Sequence, residues 1–98
     1  MPVHYCVPEL NIASISSPLG TQSPHASGAG YGFRLTKEDR VAVAYFGDGS
    51  ASEGDFHTAL NFAATLKCQT LFLCRNNYYA ISTPIGNYIF LVIIILED

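Results

Sequence analysis

Residues 41–77, VAVAYFGDGSASEGDFHTALNFAATLKCQTLFLCRNN, decide the fold of this chain. Residues 41–46 form a continuous apolar run of strand length, typical of a parallel strand that is covered on both faces. Residues 70–74 form a second run of this kind. Between the runs, apolar side chains recur with the period of a helix, at Phe56, Ala59, Leu60, Ala63 and Leu66. Strand, helix and strand in succession predict one βαβ unit, and therefore an α/β fold with a parallel sheet.

Local signals predict where the helices begin. Ser50 and Glu53 have the spacing of a capping box, which places the start of the inter-strand helix near Ala51. A preceding loop and helix should open at a turn in residues 16–22. That helix is expected to continue poorly through residues 23–35, where helix-weakening residues recur: Pro24, Gly28, Gly30 and Gly32. The small residues there would still permit close packing against another backbone.

The composition indicates one small domain that depends on contacts with other protein. The chain has 98 residues, of which 13% are charged and 49% are hydrophobic, whereas about 25% of residues are charged in an average protein. Because so few charges can hardly cover the surface of an isolated domain, the chain is expected to be a piece of a larger protein or a subunit with extensive interfaces. The net charge of −3 gives no reason to expect nucleic-acid binding.

The cysteines and the chain ends favour a reducing compartment without a membrane span. The cysteines have no metal-ligand spacing and are expected to be packing thiols: Cys6, Cys68 and Cys74. Residues 1–5 have the features of neither a signal peptide nor a transit peptide. The apolar run at residues 88–96 is much shorter than the ~20 residues that cross a bilayer. It predicts a buried strand or, if it is exposed, an aggregation-prone segment.

Polar residues follow both predicted strands, at the ends where α/β sheets bind ligands. Asp48 follows the first strand, and Arg75, Asn76 and Asn77 follow the second. A carboxylate, a carboxamide and a nearby backbone carbonyl are the oxygen ligands that Mg²⁺ prefers. The glycines beside Asp48 would let a phosphate approach the backbone closely. A helix beginning near Ala51 would direct N–H groups at that phosphate, and Arg75 would offset the phosphate charge. The pattern therefore predicts a metal–diphosphate site.

Each of these features also has a structural interpretation when it is taken alone. Gly-Asp-Gly is a common turn, Asn-Asn often lies in a loop, and Arg75 could be a solvated loop charge. Glu53 and Asp55 are expected to serve the helix start and its dipole. The histidines lack ligand spacing: His4, His25 and His57. The two motifs occur together, in this order, around a βαβ unit, and this joint occurrence favours a cofactor site.

The motifs and their flanking strings resemble one enzyme family. Residues 47–49 with residues 76–77 resemble the diphosphate-binding motif of thiamine diphosphate enzymes. The surrounding strings MPVHY, ISSPL, SEGD, NFAATL, CRNN and YAISTP are similar to the alpha subunits of branched-chain 2-oxo acid dehydrogenases (2-oxoisovalerate dehydrogenases). The resemblance covers residues 1–84, which implies a partial thiamine diphosphate-binding domain there and an apolar tail outside the family pattern at residues 85–98.

The resemblance implies a role for each matching position. The Mg²⁺ ligands would be Asp48, Asn77 and the carbonyl of Tyr79. The diphosphate would be contacted by Gly49, Ser50 and Arg75. The aminopyrimidine side of the cofactor would lie near Ser17 and Leu19. A structural K⁺ would be bound by Ser16, Pro18, Thr21 and Gln22. The family's catalytic histidine is expected beyond residue 98, so no catalytic residue is assigned within the chain.

The resemblance also implies an activity, partners and a location. The complete enzyme would oxidatively decarboxylate branched-chain 2-oxo acids to acyl-CoA and CO₂, in the mitochondrial matrix. Its partners would be a beta subunit, in an α₂β₂ heterotetramer, and a lipoyl-bearing acyltransferase core. These 98 residues are expected to be inactive alone. The alternatives are a fragment of a pyruvate dehydrogenase alpha subunit and a non-catalytic truncation product.

Overall fold

The computed structural model of the protein describes residues 3–87 as two helices and four strands. The helices are α1 (Gln22–Leu35) and α2 (Gly54–Thr65), and the strands are β1 (Ala42–Gly47), β2 (Thr70–Arg75), β3 (Tyr79–Ala80) and β4 (Thr83–Pro84). Short 3₁₀ turns span Pro8–Leu10, Ser50–Ser52 and Ile85–Asn87. None of the described helices is long and apolar enough to cross a membrane. The strand or aggregation-prone segment expected at residues 88–96 lies outside the described residues.

The predicted βαβ unit is present, and the α/β fold class is confirmed. β1 and β2 pair in parallel, with Ala42 opposite Thr70 at one end and Gly47 opposite Arg75 at the other. α2 connects these two strands. Because both strands run in the same direction, the residues that follow Gly47 and Arg75 emerge at one edge of the sheet. β3 and β4 form a separate antiparallel pair just beyond this edge in sequence.

Both helices pack on one face of the β1–β2 sheet. The ring of Phe56 in α2 lies 4.6 Å from that of Phe46 in β1 and 6.4 Å from that of Phe72 in β2. On the same face, the Thr70 hydroxyl donates a hydrogen bond of 3.0 Å to the carbonyl of Ala26 in α1. The buried apolar side chains of this layer are small: Ala26, Ala44 and Ala59.

The opposite face of this sheet is exposed, contrary to the prediction that both faces would be covered. Its side chains are large and apolar: Val43, Tyr45, Leu71 and Leu73. The run at residues 41–46 is apolar at every position, so it has the sequence pattern of a strand that is covered twice. Within residues 3–87, however, both helices use the same face, and no described element lies on the other.

Helix α1 runs unbroken through the segment that was expected to continue poorly, and that expectation was wrong. Pro24 falls in the first turn, where backbone N–H groups have no intrahelical acceptor, so its missing N–H costs nothing there. Gly30 lets the helix approach β2 so closely that its carbonyl accepts a hydrogen bond of 3.1 Å from the N–H of Gln69. The Ser27 hydroxyl donates to the carbonyl of Ala59 in α2 at 2.9 Å. These tertiary contacts outweigh the weak helix propensity of the sequence.

The inter-strand helix begins later than Ala51, so the predicted start is wrong. Residues from Ser50 to Ser52 form a 3₁₀ turn, and α2 begins at Gly54 with Glu53 as its N-cap. Glu53 has extended backbone angles, and no side chain caps the helix. The predicted capping box between Ser50 and Glu53 is therefore absent, because the 3₁₀ turn takes up the backbone groups that it would have used.

Candidate functional site

Asp48 and Asn77 lie next to each other at the C-terminal edge of the β1–β2 sheet. Asp48 follows β1 and is 2% exposed, so its carboxylate is surrounded by protein. The backbone N–H of Asn77 donates a hydrogen bond of 3.3 Å to Asp48 Oδ1. The parallel register explains this contact, because both polar loops start from the same edge. The structure thus brings together the two residues on which the predicted metal site depends.

Two asparagine side chains fix the loop that follows β2. Asn76 Oδ1 accepts a hydrogen bond of 2.8 Å from the N–H of Tyr78, and Asn77 Oδ1 accepts one of 3.0 Å from the N–H of Tyr79. Such side-chain turns are typical of asparagine, and they support the left-handed backbone of Tyr78 (φ 67°). An amide oxygen has two lone pairs, so Asn77 Oδ1 keeps one for a further partner.

The Tyr79 carbonyl lies in the short β3–β4 hairpin. Tyr79 is opposite Pro84 in the antiparallel register. The neighbouring hydrogen bond of the hairpin runs from the N–H of Ile85 to the carbonyl of Tyr78, at 2.9 Å. Because pairs in an antiparallel ladder alternate between hydrogen-bonded and non-hydrogen-bonded, Tyr79 and Pro84 form a non-hydrogen-bonded pair, and the carbonyl of Tyr79 points away from the partner strand. Together with Asp48 and Asn77, this loop and hairpin offer one charged and two neutral oxygen ligands.

Gly49 packs against the hairpin, and a methyl group there would not fit. A Cβ atom at Gly49 would lie 2.9 Å from the Cβ of Ala80 and 3.2 Å from its Cα. We expect Gly49→Ala to lower the free energy of unfolding by about 1–2 kcal/mol, since the hairpin would have to move away. Gly47→Ala is the matched control, because its Cβ would meet nothing within 4 Å. Equal midpoints of urea unfolding for the two variants would contradict this packing.

Backbone N–H groups near Asp48 are arranged differently from the prediction. The N–H groups of Ala51, Ser52 and Glu53 donate to the carbonyls of Asp48, Gly49 and Ser50, at 3.2, 3.2 and 3.1 Å. They are committed to the 3₁₀ turn. A helix beginning near Ala51 would instead have directed them at a phosphate.

Two further predicted contacts of the diphosphate lie on different elements. Ser50 is buried beside Asp48, and Arg75 is exposed at the end of β2, opposite Gly47.

The predicted K⁺ loop is closed by its own side chains. The Thr21 hydroxyl donates to the carbonyl of Pro18 at 3.0 Å, and Gln22 Nε2 donates to the carbonyl of Ser16 at 2.8 Å. The four predicted ligands therefore come together as two hydrogen-bonded pairs. Each pair contains a backbone carbonyl oxygen and a side chain that also carries an oxygen. Oxygen atoms are the ligands that a hard cation prefers.

A shallow cleft joins this loop to the end of β1. Its volume is about 200 Å³. One wall consists of residues 16–20 with Gln22, and the other consists of Tyr45, Phe46 and Gly47 together with Ser50. Ser17 and Leu19, which were predicted to face the aminopyrimidine, thus share a cleft with Ser50, which was predicted to face the diphosphate.

Comparison with known proteins places the chain in a family. The family model described as "Dehydrogenase E1 component" matches residues 1–87. The chain belongs to the dehydrogenase E1 component family. This membership confirms the resemblance that was drawn from the motifs at Asp48 and Asn77 and from their flanking strings.

Three similar proteins from distant organisms share one name. The chain is 61% identical over 85 residues to "2-oxoisovalerate dehydrogenase subunit alpha, mitochondrial" of Caenorhabditis elegans, which covers 86% of this chain and 20% of that protein. It is 57% identical over 84 residues to the protein of the same name from Homo sapiens, covering 86% and 19%. For Dictyostelium discoideum the identity is 54% over 84 residues, covering 86% and 19%. The chain thus spans about a fifth of the length of the curated relatives it matches.

Two features of this E1 chain were not predicted from the sequence. One is the β3–β4 hairpin, whose strands have only 2 residues each and therefore show no periodic pattern. The other is a contact between His4 Nε2 and Ser17 Oγ, which lie 2.5 Å apart. Pro8 and Asn11 are residues that favour turns, and they could have indicated that the chain reverses between these two positions.

The thiol of Cys74 offers a probe of the charge at Asp48 in the E1 chain. Burial, and then the negative charge of Asp48, raise the pKa of Cys74. A raised pKa leaves less reactive thiolate, so we expect iodoacetamide to modify Cys74 more slowly than the exposed Cys6 at mildly alkaline pH. Asp48→Asn removes the second cause and should speed the modification of Cys74. Cys68 is the internal control, because burial raises its pKa without a contribution from Asp48.

Mass spectrometry of the alkylated peptides measures all three rates in one sample. A Cys74 rate that equals the Cys6 rate would contradict the burial of this thiol. If Asp48→Asn changed Cys68 as much as Cys74, the effect would be a general loosening of the fold and not the loss of a nearby charge.

Proposed function

We propose that this chain forms the metal–diphosphate part of a thiamine diphosphate site in the alpha subunit of a branched-chain 2-oxo acid dehydrogenase. The observation that carries the proposal is the contact between the buried Asp48 carboxylate and the Asn77 loop, at the common edge of two parallel strands. In a chain of the dehydrogenase E1 component family, this edge is where a diphosphate and its metal would be bound.

The proposed Mg²⁺ ligands fit that ion by their chemistry. Asp48 provides one carboxylate, Asn77 a carboxamide oxygen and Tyr79 a backbone carbonyl. Mg²⁺ prefers oxygen ligands, and one or two carboxylates with phosphate and water complete its shell. Residues 3–87 contain no cluster of three or more His, Cys, Asp or Glu side chains that could hold a metal. The proposed metal site combines the one carboxylate of Asp48 with the neutral oxygens of Asn77 and Tyr79.

Gly49, Ser50 and Arg75 are the proposed contacts of the diphosphate. Gly49 offers its backbone beside Asp48, Ser50 lines the cleft and carries a hydroxyl, and Arg75 is exposed and carries a guanidinium. A guanidinium can bind two phosphate oxygens at once, and Arg75 would supply the positive charge among these three residues. The 3₁₀ turn at Ser50–Ser52 holds the Ser50 backbone in place.

Ser17 and Leu19 would contact the aminopyrimidine end across the cleft. The exposed Leu19 offers an apolar surface for a ring, and Ser17 offers a hydroxyl. Beside them, the loop of Ser16, Pro18, Thr21 and Gln22 would bind K⁺, with the ion replacing the two hydrogen bonds that close the loop. Such an ion would stabilise the cleft wall by binding the backbone carbonyls of Ser16 and Pro18. It would take no part in the chemistry.

The proposed activity belongs to the complete enzyme. Bound thiamine diphosphate supplies carbanion stabilisation, through which a 2-oxo acid can lose CO₂. We propose that the complete alpha subunit works in the mitochondrial matrix with a beta subunit in an α₂β₂ heterotetramer, and with a lipoyl-bearing acyltransferase core. Residues 1–84 would be the partial cofactor domain, and residues 85–98 a tail outside it. The mitochondrial names of the relatives support the location.

Calorimetric titration of the 98-residue chain with thiamine diphosphate and Mg²⁺ tests the cofactor proposal. We expect heat of binding with both components present, and little when Mg²⁺ is chelated with EDTA. Thiamine without its diphosphate is the matched control and should bind weakly, because the proposed contacts are mainly with metal and phosphate. Binding that is equally strong without Mg²⁺, or equally strong for thiamine, would overturn the proposed role of Asp48, Asn77 and Tyr79.

Enzyme assays test the proposed substrate and the proposed inactivity of the chain alone. The complete alpha subunit, assembled with its beta subunit, should decarboxylate 2-oxoisovalerate faster than pyruvate. A preference for pyruvate would favour the pyruvate dehydrogenase alternative. The 98-residue chain alone should release no CO₂ from either acid, because it lacks the groups that a beta subunit would supply and the catalytic histidine expected beyond residue 98. Thiamine-dependent release by the purified chain would contradict that expectation.

A further inference from the structure

A compact turn folds the first described residues back onto the wall of the cleft. Val7 and Ile12 exchange two backbone hydrogen bonds, of 3.0 and 3.1 Å. Between them lie the 3₁₀ turn at Pro8–Leu10 and the left-handed residue Asn11 (φ 57°). Asparagine adopts this conformation at lower cost than most residues, so the turn is locally encoded. The chain therefore reverses its direction, and residues before Val7 run alongside residues after Ile12.

This reversal brings the imidazole of His4 into hydrogen-bond contact with the Ser17 hydroxyl. His4 Nε2 and Ser17 Oγ are 2.5 Å apart, although the residues are 13 positions apart in sequence. Ser17 lines the cleft. Its neighbour Ser16 is held through its carbonyl by Gln22, at 2.8 Å. The backbone beside Ser17 is thus anchored from one direction, and the Ser17 side chain is held from another.

We propose that His4 is a positioning residue, which orients the Ser17 hydroxyl for the ligand that binds in the cleft. This inference rests on the proposed function, in which that ligand is the aminopyrimidine end of thiamine diphosphate. A serine hydroxyl has one hydrogen to donate and rotates freely in water. A hydrogen bond to His4 fixes the rotation before the ligand arrives, so less rotational freedom is lost on binding.

The imidazole also decides which hydrogen-bonding role Ser17 presents to the cleft. If His4 Nε2 carries the lone pair, Ser17 donates to it, and the hydroxyl oxygen accepts from the ligand. If Nε2 carries the hydrogen, Ser17 accepts from it, and the hydroxyl hydrogen is available to the ligand. An aminopyrimidine has both an amino donor and ring nitrogen acceptors, so either arrangement pairs with one of its edges.

Calorimetry on the full 98-residue chain with thiamine diphosphate and Mg²⁺ tests the role of His4. His4→Ala and Ser17→Ala should each weaken binding about 10-fold, the value of one well-formed hydrogen bond. The double variant should bind no more weakly than Ser17→Ala, because both changes remove one contact. His4→Gln should recover most of the affinity, since its amide can reach Ser17 as a donor or an acceptor. His57→Ala, at an exposed histidine of α2, is the matched control and should bind like the original chain.

The ¹⁵N resonances of the His4 imidazole provide a measurement that needs no ligand. Ser17→Ala should shift them in the ligand-free chain, because the ring nitrogen loses its partner. Unchanged resonances, or a His4→Ala variant that binds like the original chain, would overturn the inference and leave the proposed function standing. If the original chain failed to bind thiamine diphosphate at all, the proposed function would fail, and this role of His4 with it, even where the resonances shifted.

Discussion

Replacing Asp48 with asparagine should weaken Mg²⁺-dependent binding of thiamine diphosphate by about 100-fold or more. Loss of a residue that only supports a metal ligand already costs 10- to 100-fold in affinity in other metal sites, so loss of the charged ligand itself should cost at least the upper value. Asparagine has nearly the same shape as aspartate and keeps an oxygen that can accept the N–H of Asn77 at the same place. The change therefore removes the charge while it preserves the contact between the two loops.

Calorimetry of the variant, with an unfolding curve on the same sample, separates metal binding from folding. Asp55→Asn is the matched control, because it removes one negative charge from an exposed position in the first turn of α2. It should bind the cofactor like the original chain. If Asp48→Asn bound normally, or if Asp55→Asn weakened binding equally, Asp48 would not be a ligand of the metal.

Replacing Gly30 with alanine should give the largest loss of stability among the substitutions considered, about 3 kcal/mol. A Cβ atom at Gly30 would lie 2.0 Å from the Thr70 hydroxyl oxygen and 2.6 Å from the carbonyl oxygen of Gln69. The Gln69 carbonyl cannot move at low cost, because it accepts the N–H of Ala42 at 2.9 Å and so begins the pairing of β1 with β2. The methyl group would push α1 away from the sheet at the point where they touch most closely.

Two glycines of the same helix provide matched controls for Gly30→Ala. A Cβ atom at Gly28 or Gly32 would meet nothing within 4 Å. Alanine favours helix by up to about 1 kcal/mol relative to glycine, so these variants should be as stable as the original chain or more stable. Urea unfolding curves of the three alanine variants measure the difference directly. A Gly30→Ala variant as stable as Gly28→Ala would contradict the close packing of α1 on β2.

The sequence was sufficient for those parts of the fold that depend on local patterns. The apolar runs and the helical spacing in residues 41–77 are local, and they predicted β1, α2 and β2 in order. The sequence was insufficient for α1, because the stability of α1 comes from partners far along the chain. Gly30 meets Gln69, Ala26 meets Thr70 and Ser27 meets Ala59, and none of these pairs can be recognised from helix propensity.

The candidate site shows the same division between local and distant information. The contact between Asp48 and Asn77 follows from one topological fact, that neighbouring parallel strands end at one edge. The turn at Ser50–Ser52 could not be derived in this way, because a capping box and a 3₁₀ turn begin from similar sequences and compete for the same N–H groups. The approach of His4 to Ser17 depends on a reversal of the chain between them, whose geometry no spacing rule describes.

The bare face of the β1–β2 sheet is a surface through which copies of the free chain would associate. Val43, Tyr45, Leu71 and Leu73 form one apolar surface, on which Tyr45 is 72% exposed. Exposed apolar surfaces of this kind bring copies of a protein together as the concentration rises. How long the free chain stays in solution would then depend on how soon this surface is covered.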